Sequence, residues 1–201
     1  MFDRFSIVPK YCFDCYKVLI EPRNVVELFK LMMVMEKVDL PNDNTRKCMV
    51  ENRKQVFGTY KGLIYCRSIE EGKEICELVQ KVISAEISEK IPVALKRGCS
   101  EYATTYPAYA QIDQGSAVMD YKEEWEEIEN LADRELVINT QPCMNRKYEP
   151  QTYSAADAQA MLGWLKYAAT IGDESYLKIC WRLQPFQNVE RPAPFHAVED
   201  E

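Results

Sequence analysis

The chain has 201 residues, of which 47% are hydrophobic and 28% are charged, and its formal net charge at pH 7 is −7. These values are ordinary for a globular protein with a sizeable core. The negative charge disfavours non-specific binding to nucleic acid, although a local basic face could still bind an anion. The first ten residues lack the apolar core of a signal peptide, and the most apolar run, 28–35, is too short to span a bilayer. We therefore expect a cytoplasmic protein in a reducing compartment, with no membrane partner.

The first half of the chain is predicted to contain six elements in the order strand, helix, strand, strand, helix, strand. They are a strand over 15–21, a helix from the Asn24 N-cap to about Lys37, strands over 46–52 and 60–66, a helix opened by Ser68 and a strand over 91–97. This order is that of a split βαβ, or ferredoxin-like, sheet. Right-handed crossovers then give the strand order 4-1-3-2. We therefore predict an α+β fold with a ferredoxin-like domain over residues 10–99.

The second half is predicted to be a helical extension over residues 100–183, followed by an extended Pro-rich tail over 184–201. An aromatic loop is expected first, at Tyr102, Tyr106 and Tyr109. Helices are then predicted after an Asp120 cap, from Ser154 until Gly172 breaks the helix, and from Asp173 to about Leu183. We expect the extension and the tail to bind a larger protein partner.

Five of the eight cysteines are predicted to converge at one edge of the sheet. The starts of strands one and two and the ends of strands three and four share this edge, and Cys12, Cys15, Cys48, Cys66 and Cys99 lie there. Zinc ions and iron–sulfur clusters both need several thiolates at fixed distances. The sequence therefore predicts a zinc or iron–sulfur site with Cys12, Cys15, Cys66 and Cys99 as ligands, and Cys48 as the alternate or a nearby thiol.

Two other interpretations of these cysteines remain open. In the first, the five are small packing residues, since cysteine is among the most often buried residue types; we expect this role for Cys76, Cys143 and Cys180. In the second, one thiol is a reactive nucleophile whose pKa is lowered by Lys96, Arg97 or Lys47.

Several classes of enzyme are disfavoured by what the sequence lacks. His196 is the only histidine and lies in the Pro-rich tail, which argues against Ser–His–Asp and Cys–His catalysis and against His-rich metal sites. Neither a G-x-G-x-x-G nor a Walker A pattern occurs among the seven glycines. We therefore favour a role other than free-standing hydrolase.

The second face of the sheet is predicted to carry Lys17, Lys61, Tyr65 and Lys96, a possible surface for an anion or nucleic acid. The run Lys61-Gly62-Leu63-Ile64-Tyr65-Cys66-Arg67-Ser68 resembles the RNP1 pattern of the RRM family at its opening Lys-Gly and its fifth-position aromatic residue. It departs from that pattern at Leu63 and Ser68. The resemblance implies binding of single-stranded nucleic acid. The alternative is that the C-terminal helices, with Trp125, Trp164 and Trp181, cover this face.

These observations leave three classes of function open. The first is a metal-binding accessory or structural subunit that docks on a larger partner. The second is a cluster-dependent component of a redox enzyme, and the third is an RRM-like module for single-stranded nucleic acid. The thiolate site favours the first class.

Overall fold

A computed structural model describes residues 2–54, 56–112, 118–135, 153–181 and 183 of the protein. These residues form a mixed α+β structure with a four-stranded antiparallel sheet. Its strands are β1 (Tyr16–Ile20), β2 (Arg46–Val50), β3 (Tyr60–Cys66) and β4 (Val93–Arg97). The strand order is β2-β3-β1-β4, which reads 4-1-3-2 from the opposite edge. The predicted tail over 184–201, with His196, and also Cys143 lie outside the described residues.

Helices follow three of the strands and occupy much of the rest of the described chain. They are α1 (Phe2–Phe5), α2 (Val25–Lys37), α3 (Ile69–Glu86), α4 (Ser100–Thr105), α5 (Glu126–Glu135) and α6 (Ala155–Ile171). Short 3-10 helices cover Lys10–Cys12, Pro107–Ala110, Glu123–Trp125 and Glu174–Lys178. Within the described ranges, every helix is too short or too polar to cross a bilayer.

The predicted starts of the three longest helices are confirmed by side-chain caps. Asn24 accepts a hydrogen bond from the backbone N–H of Glu27 at the start of α2, and Ser68 accepts one from Glu71 at the start of α3. Ser154 forms a reciprocal capping box at the start of α6. Each cap satisfies a backbone donor that the helix itself cannot pair. Gly172, with a positive φ of 86°, ends α6 as predicted.

Helices α2 and α3 cover one face of the sheet and form the main core with it. Alternate strand residues such as Val18, Ile20 and Ile64 enter this core, where they meet Leu31 and Ile75. α6 packs beside α2 and adds a second cluster around Trp164 and Tyr60. A third cluster joins Trp125, Phe13 and Tyr109 beyond the end of the sheet. The face opposite α2 and α3 therefore lacks a covering layer of long helices in the described part of the chain.

Three predictions for the extension are wrong. Residues 100–110 form α4 and a 3-10 helix instead of a loop; their tyrosines are spaced by four and three residues, which is a helical spacing. Helical structure starts at Glu123, not directly after Asp120. Just before it, Arg97 donates a hydrogen bond to the carbonyl of Met119 and ties this segment to β4. The next helix starts as predicted, with Asp173 as its N-cap, but it ends at Lys178 instead of near Leu183.

The three tryptophans do not act together as a cover for the sheet. Trp125 and Trp164 are buried in separate clusters. Trp181 is 92% exposed, so it is not a packing anchor within the described residues. The face that carries the predicted lysines is therefore not closed by a tryptophan layer.

Candidate functional site

The face of the sheet opposite α2 and α3 carries three lysines and a tyrosine, which we name the lysine face: Lys17, Lys61, Tyr65 and Lys96. Side chains alternate between the two faces of a strand, so Lys17 points away from the core that Val18 and Ile20 enter. Lys17 lies directly opposite Tyr65 of β3 and Lys96 of β4. Lys61, four residues before Tyr65, lies on the same face by the same alternation.

Lys17 is the most unusual charge of this face. The residue is only 5% exposed. Its ammonium group donates a hydrogen bond to Sγ of Cys99 at 3.2 Å and lies 5.1 Å from the centre of the Tyr65 ring. None of the described carboxylates forms an ion pair with it. Burial alone would lower the pKa of Lys17, but negative charge on Cys99 and Cys15 outweighs burial and raises it.

Lys61 is buried to the same degree and begins a chain of ion pairs. Its ammonium nitrogen lies 3.7 Å from a carboxylate oxygen of Glu51, which is 3% exposed. Glu51 in turn pairs with Arg53 at 2.8 Å. Arg53 also pairs with Glu101 of α4 at 3.0 Å. Four residues from three separate segments are thereby linked.

The pair of Arg53 and Glu101 crosses the lysine face. Arg53 follows β2 at one edge of the sheet, and Glu101 follows β4 at the other edge. Three strand spacings, or roughly 14 Å, separate these edges. Because Glu51 binds Lys61 on this face, the two segments meet above the lysines. The lysine face is therefore bordered by charged side chains that come from both edges of the sheet.

Lys96 completes the cluster of positive charges. Its ammonium group donates a hydrogen bond to Oγ of Ser100, at the start of α4, at 2.6 Å. Burial, followed by the positive charges of Lys17 and Lys61, lowers the pKa of Lys96. Burial also lowers the pKa of Lys61, although Glu51 opposes that effect. The three ammonium groups are thus close enough to repel one another, and a bound anion would relieve that repulsion.

Three of the predicted cysteines lie next to this cluster and form what we name the thiol corner: Cys12, Cys15 and Cys99. The backbone of Cys15 accepts a hydrogen bond from Gly98 at 2.7 Å, which holds the start of β1 against the end of β4. Sγ of Cys12 donates to the hydroxyl of Tyr102 at 3.8 Å. Burial is the main cause that raises the pKa of both Cys12 and Cys15, and negative charge on Cys99 adds to it.

The other two predicted ligands lie on the opposite face. Cys66 pairs with Tyr16 and belongs to the main core, and Sγ of Cys48 lies 3.6 Å from Sδ of Met35 in α2. Burial raises the pKa of Cys66 to about 11 and that of Cys48 to about 12. Among the residues that the structure describes, no group of three or more His, Cys, Asp or Glu side chains is arranged to hold a metal ion. The prediction placed the cysteines at an edge without assigning each to a face.

The sequence patterns did not predict three charged residues of the site. Glu51 carried a signal, because it follows Lys47 and Met49 at the period of a strand and so continues their face beyond β2. Arg53 and Glu101 carried none, since an ion pair between distant segments has no local pattern. Their contact appears only in the folded chain.

The chain was compared with protein-family models, with curated proteins and with solved structures, and no match was found in any of the three. The function is therefore inferred from the geometry of the site.

Proposed function

We propose that the protein binds a small, multiply charged anion, of the phosphate class, on the lysine face. The observation that carries the proposal is the ammonium group of Lys17, which is buried without a carboxylate partner among the described residues. A buried charge is strongly unfavourable unless it is paired. Besides its hydrogen bond to Sγ of Cys99, an anion from solution would give this ammonium group a second, negatively charged partner.

The neighbouring lysines strengthen this argument. Lys96 has a hydroxyl as its hydrogen-bond partner, and the single buried carboxylate beside Lys61 is shared with Arg53. Lysine ammonium groups bind phosphate as compact point charges with several donors. Three such groups on one face suit a ligand with at least two negative charges.

The contacts across the lysine face favour a small ligand over a nucleic-acid strand. The ion pair of Arg53 with Glu101 crosses the face, and the ring of Tyr65 is already in contact with Lys17. The net charge of −7 also repels a long polyanion. Binding of single-stranded RNA, as the RRM-like resemblance implies, is the competing outcome of the test.

The test is isothermal titration with inorganic pyrophosphate. We expect Lys17→Met to weaken binding by about tenfold or more, because it removes one of the positive charges that attract the anion. A tenfold change in Kd corresponds to about 1.4 kcal/mol. Lys81→Met, at an exposed position of α3, is the matched control and should leave binding unchanged. Absence of pyrophosphate binding, or equal weakening in both variants, would contradict the proposal. Salt-sensitive binding of oligouridylate that Lys17→Met abolishes, without pyrophosphate binding, would favour the nucleic-acid alternative.

The second candidate is a metal-binding accessory subunit, whose thiolate site would hold zinc or an iron–sulfur cluster. Its support is the proximity of the three thiols of the thiol corner, because negative charge on Cys99 raises the pKa of both Cys12 and Cys15. Exposed apolar side chains near the end of the described chain, Leu177, Ile179 and Trp181, support docking on a protein partner. A cluster would make the protein a component of a redox enzyme.

Elemental analysis of anaerobically purified protein tests the second candidate. Stoichiometric zinc, or iron with a brown colour, that Cys99→Ser removes and Cys66→Ser retains would support a site at the thiol corner. Metal-free protein would contradict it. Because pyrophosphate binding is measured separately, the two candidates can fail independently.

We further propose a ferredoxin-like fold for residues 10–99, with residues 100–183 as a helical extension. The element order and the strand order support this assignment. We also propose a cytoplasmic location. Its support is that all seven cysteines in the described ranges are free thiols, as is usual in a reducing compartment.

A further inference from the structure

Arg53 is the more accessible of the two cations in the chain of ion pairs beside the lysine face. Its side chain is 40% exposed, whereas that of Lys61 is 6% exposed. The carboxylate of Glu51 lies between the two cations and pairs with both. A positive charge near solvent attracts anions toward the charges behind it. Arg53 is therefore the first of these cations that an approaching anion meets.

The two carboxylate partners of Arg53 are not equivalent. Nε and Nη2 of Arg53 donate to the two oxygens of Glu51, each at 2.8 Å, which is the bidentate geometry of a strong pair. Nη1 lies 3.0 Å from Oε2 of Glu101. This oxygen is itself buried, yet it accepts no aligned hydrogen bond from any residue that the structure describes. Glu101 is thus the weaker partner, and Nη1 is the part of Arg53 that can exchange its contact.

We propose that Arg53 is a further binding residue for the anion of the lysine face, and that Glu101 competes with the anion for it. This inference rests on the proposed function, because it concerns the same ligand. When the anion binds, Nη1 of Arg53 donates to an anion oxygen instead of pairing with Glu101. Glu51 keeps its two hydrogen bonds and holds the guanidinium group in place, in the planar geometry that suits phosphate oxygens. Glu101 thereby lowers the affinity of the site.

The experiment is isothermal titration of the full-length protein with inorganic pyrophosphate. Glu101→Gln should tighten binding about two- to fivefold, because the anion no longer has to displace a partly exposed ion pair. Glu74→Gln makes the same change of charge at an exposed position of α3, on the other face of the sheet, and should leave the affinity unchanged. A gain of affinity cannot result from a poorly folded variant.

A charge-conserving variant separates competition for Arg53 from simple repulsion of the anion. Glu101→Asp keeps the negative charge beside the site, but its side chain is one methylene group shorter, so the carboxylate withdraws from Nη1 of Arg53. Competition predicts that Glu101→Asp also tightens binding, whereas repulsion alone predicts the affinity of the wild type. Arg53→Met removes the exchanging group and should weaken binding several-fold.

Wild-type affinity in Glu101→Asp would overturn the inference, whatever the affinity of Glu101→Gln. Weaker binding in Glu101→Gln would also overturn it, because the carboxylate would then be a ligand-binding group and not a competitor. If the wild type binds pyrophosphate and Lys17→Met weakens that binding, the anion site survives either failure. If neither the wild type nor Glu101→Gln binds pyrophosphate, the proposed function fails, and the inference fails with it.

Discussion

Arg53 and Glu101 form an ion pair at 3.0 Å although they follow strands at opposite edges of the sheet. The pair joins the segment after β2 to α4, and through Glu51 it connects to the buried Lys61. The chain of charges is buried at its Lys61 end and partly exposed at its Glu101 end. Neutralising a carboxylate should therefore reduce stability more at the Lys61 end than at the Glu101 end.

Glu51→Gln should lower the free energy of unfolding more than Glu101→Gln. Glu51 is 3% exposed and pairs with Lys61, so its neutralisation leaves a buried ammonium group uncompensated and costs about 3 kcal/mol. The side chains of Arg53 and Glu101 are 40% and 32% exposed, and such pairs contribute about 0–1 kcal/mol. Urea unfolding near neutral pH measures both variants. Equal losses would show that Lys61 is compensated by another group.

Affinity for the anion should begin to fall at a pH below the ordinary pKa of lysine. Burial and neighbouring positive charge lower the pKa of Lys96, and burial lowers that of Lys61, so both groups lose protons below the ordinary lysine value of about 10.4. Loss of either charge weakens attraction for pyrophosphate. We expect titrations between about pH 7 and about pH 10 to show a several-fold loss of affinity.

Lys96→Arg separates this effect from a general effect of pH. A guanidinium group stays protonated throughout this range, so affinity in the variant should depend less on pH than in the wild type. Lys81→Arg on α3 serves as the matched control. An identical pH dependence in the wild type and Lys96→Arg would show that Lys96 does not contact the anion.

Local patterns in the sequence predicted much of the sheet and its helices. The strand over 60–66 and the caps at Asn24 and Ser68 agree with the structure, because each depends on neighbouring residues. The alternation in β1 likewise places Lys17 and Val18 on opposite faces of the sheet. Such features need no knowledge of distant contacts.

The candidate site needed long-range information that local patterns do not carry. Cys66 and Cys15 are both at the predicted edge. Cys66 pairs with Tyr16 and lies on the same face as Tyr16. Cys15 immediately precedes Tyr16 and therefore belongs to the other face. Only the pairing register of β1 with β3 distinguishes the faces of these two cysteines. The contact of Arg53 with Glu101 depends on how two loops meet, and no periodicity predicts it.

Replacement of the core cysteines should affect stability without affecting metal content. Cys66→Ala removes a buried sulfur beside the carbonyl of Ile64, and Cys48→Ala removes the sulfur of a partly buried residue beside Sδ of Met35. We expect each to lower the free energy of unfolding by about 1 kcal/mol, as for a small cavity in a packed core. Zinc content, measured by elemental analysis, should equal that of the wild type. Loss of bound metal in either variant would instead identify a ligand that the geometry does not favour.

Gly98→Ala should be the most damaging small substitution near the site. Gly98 has a positive φ of 52°, and a Cβ atom there would lie 1.7 Å from the hydroxyl oxygen of Tyr109. That hydroxyl donates a buried hydrogen bond to the carbonyl of Cys12 at 2.7 Å. The tyrosine must therefore move, and a bond that supports the thiol corner is lost with it. We expect the free energy of unfolding to fall by about 3 kcal/mol or more, combining backbone strain with a broken buried contact.

Gly163→Ala is the matched control for this substitution. Gly163 lies within α6, and a Cβ atom there would meet no other atom within 4 Å. Alanine is favoured over glycine inside a helix by about 1 kcal/mol, so this variant should be as stable as the wild type or more stable. Urea unfolding of both variants decides the comparison. If Gly98→Ala were as stable as Gly163→Ala, Tyr109 would not hold the thiol corner in place, and the position of Cys99 beside Lys17 would need another support.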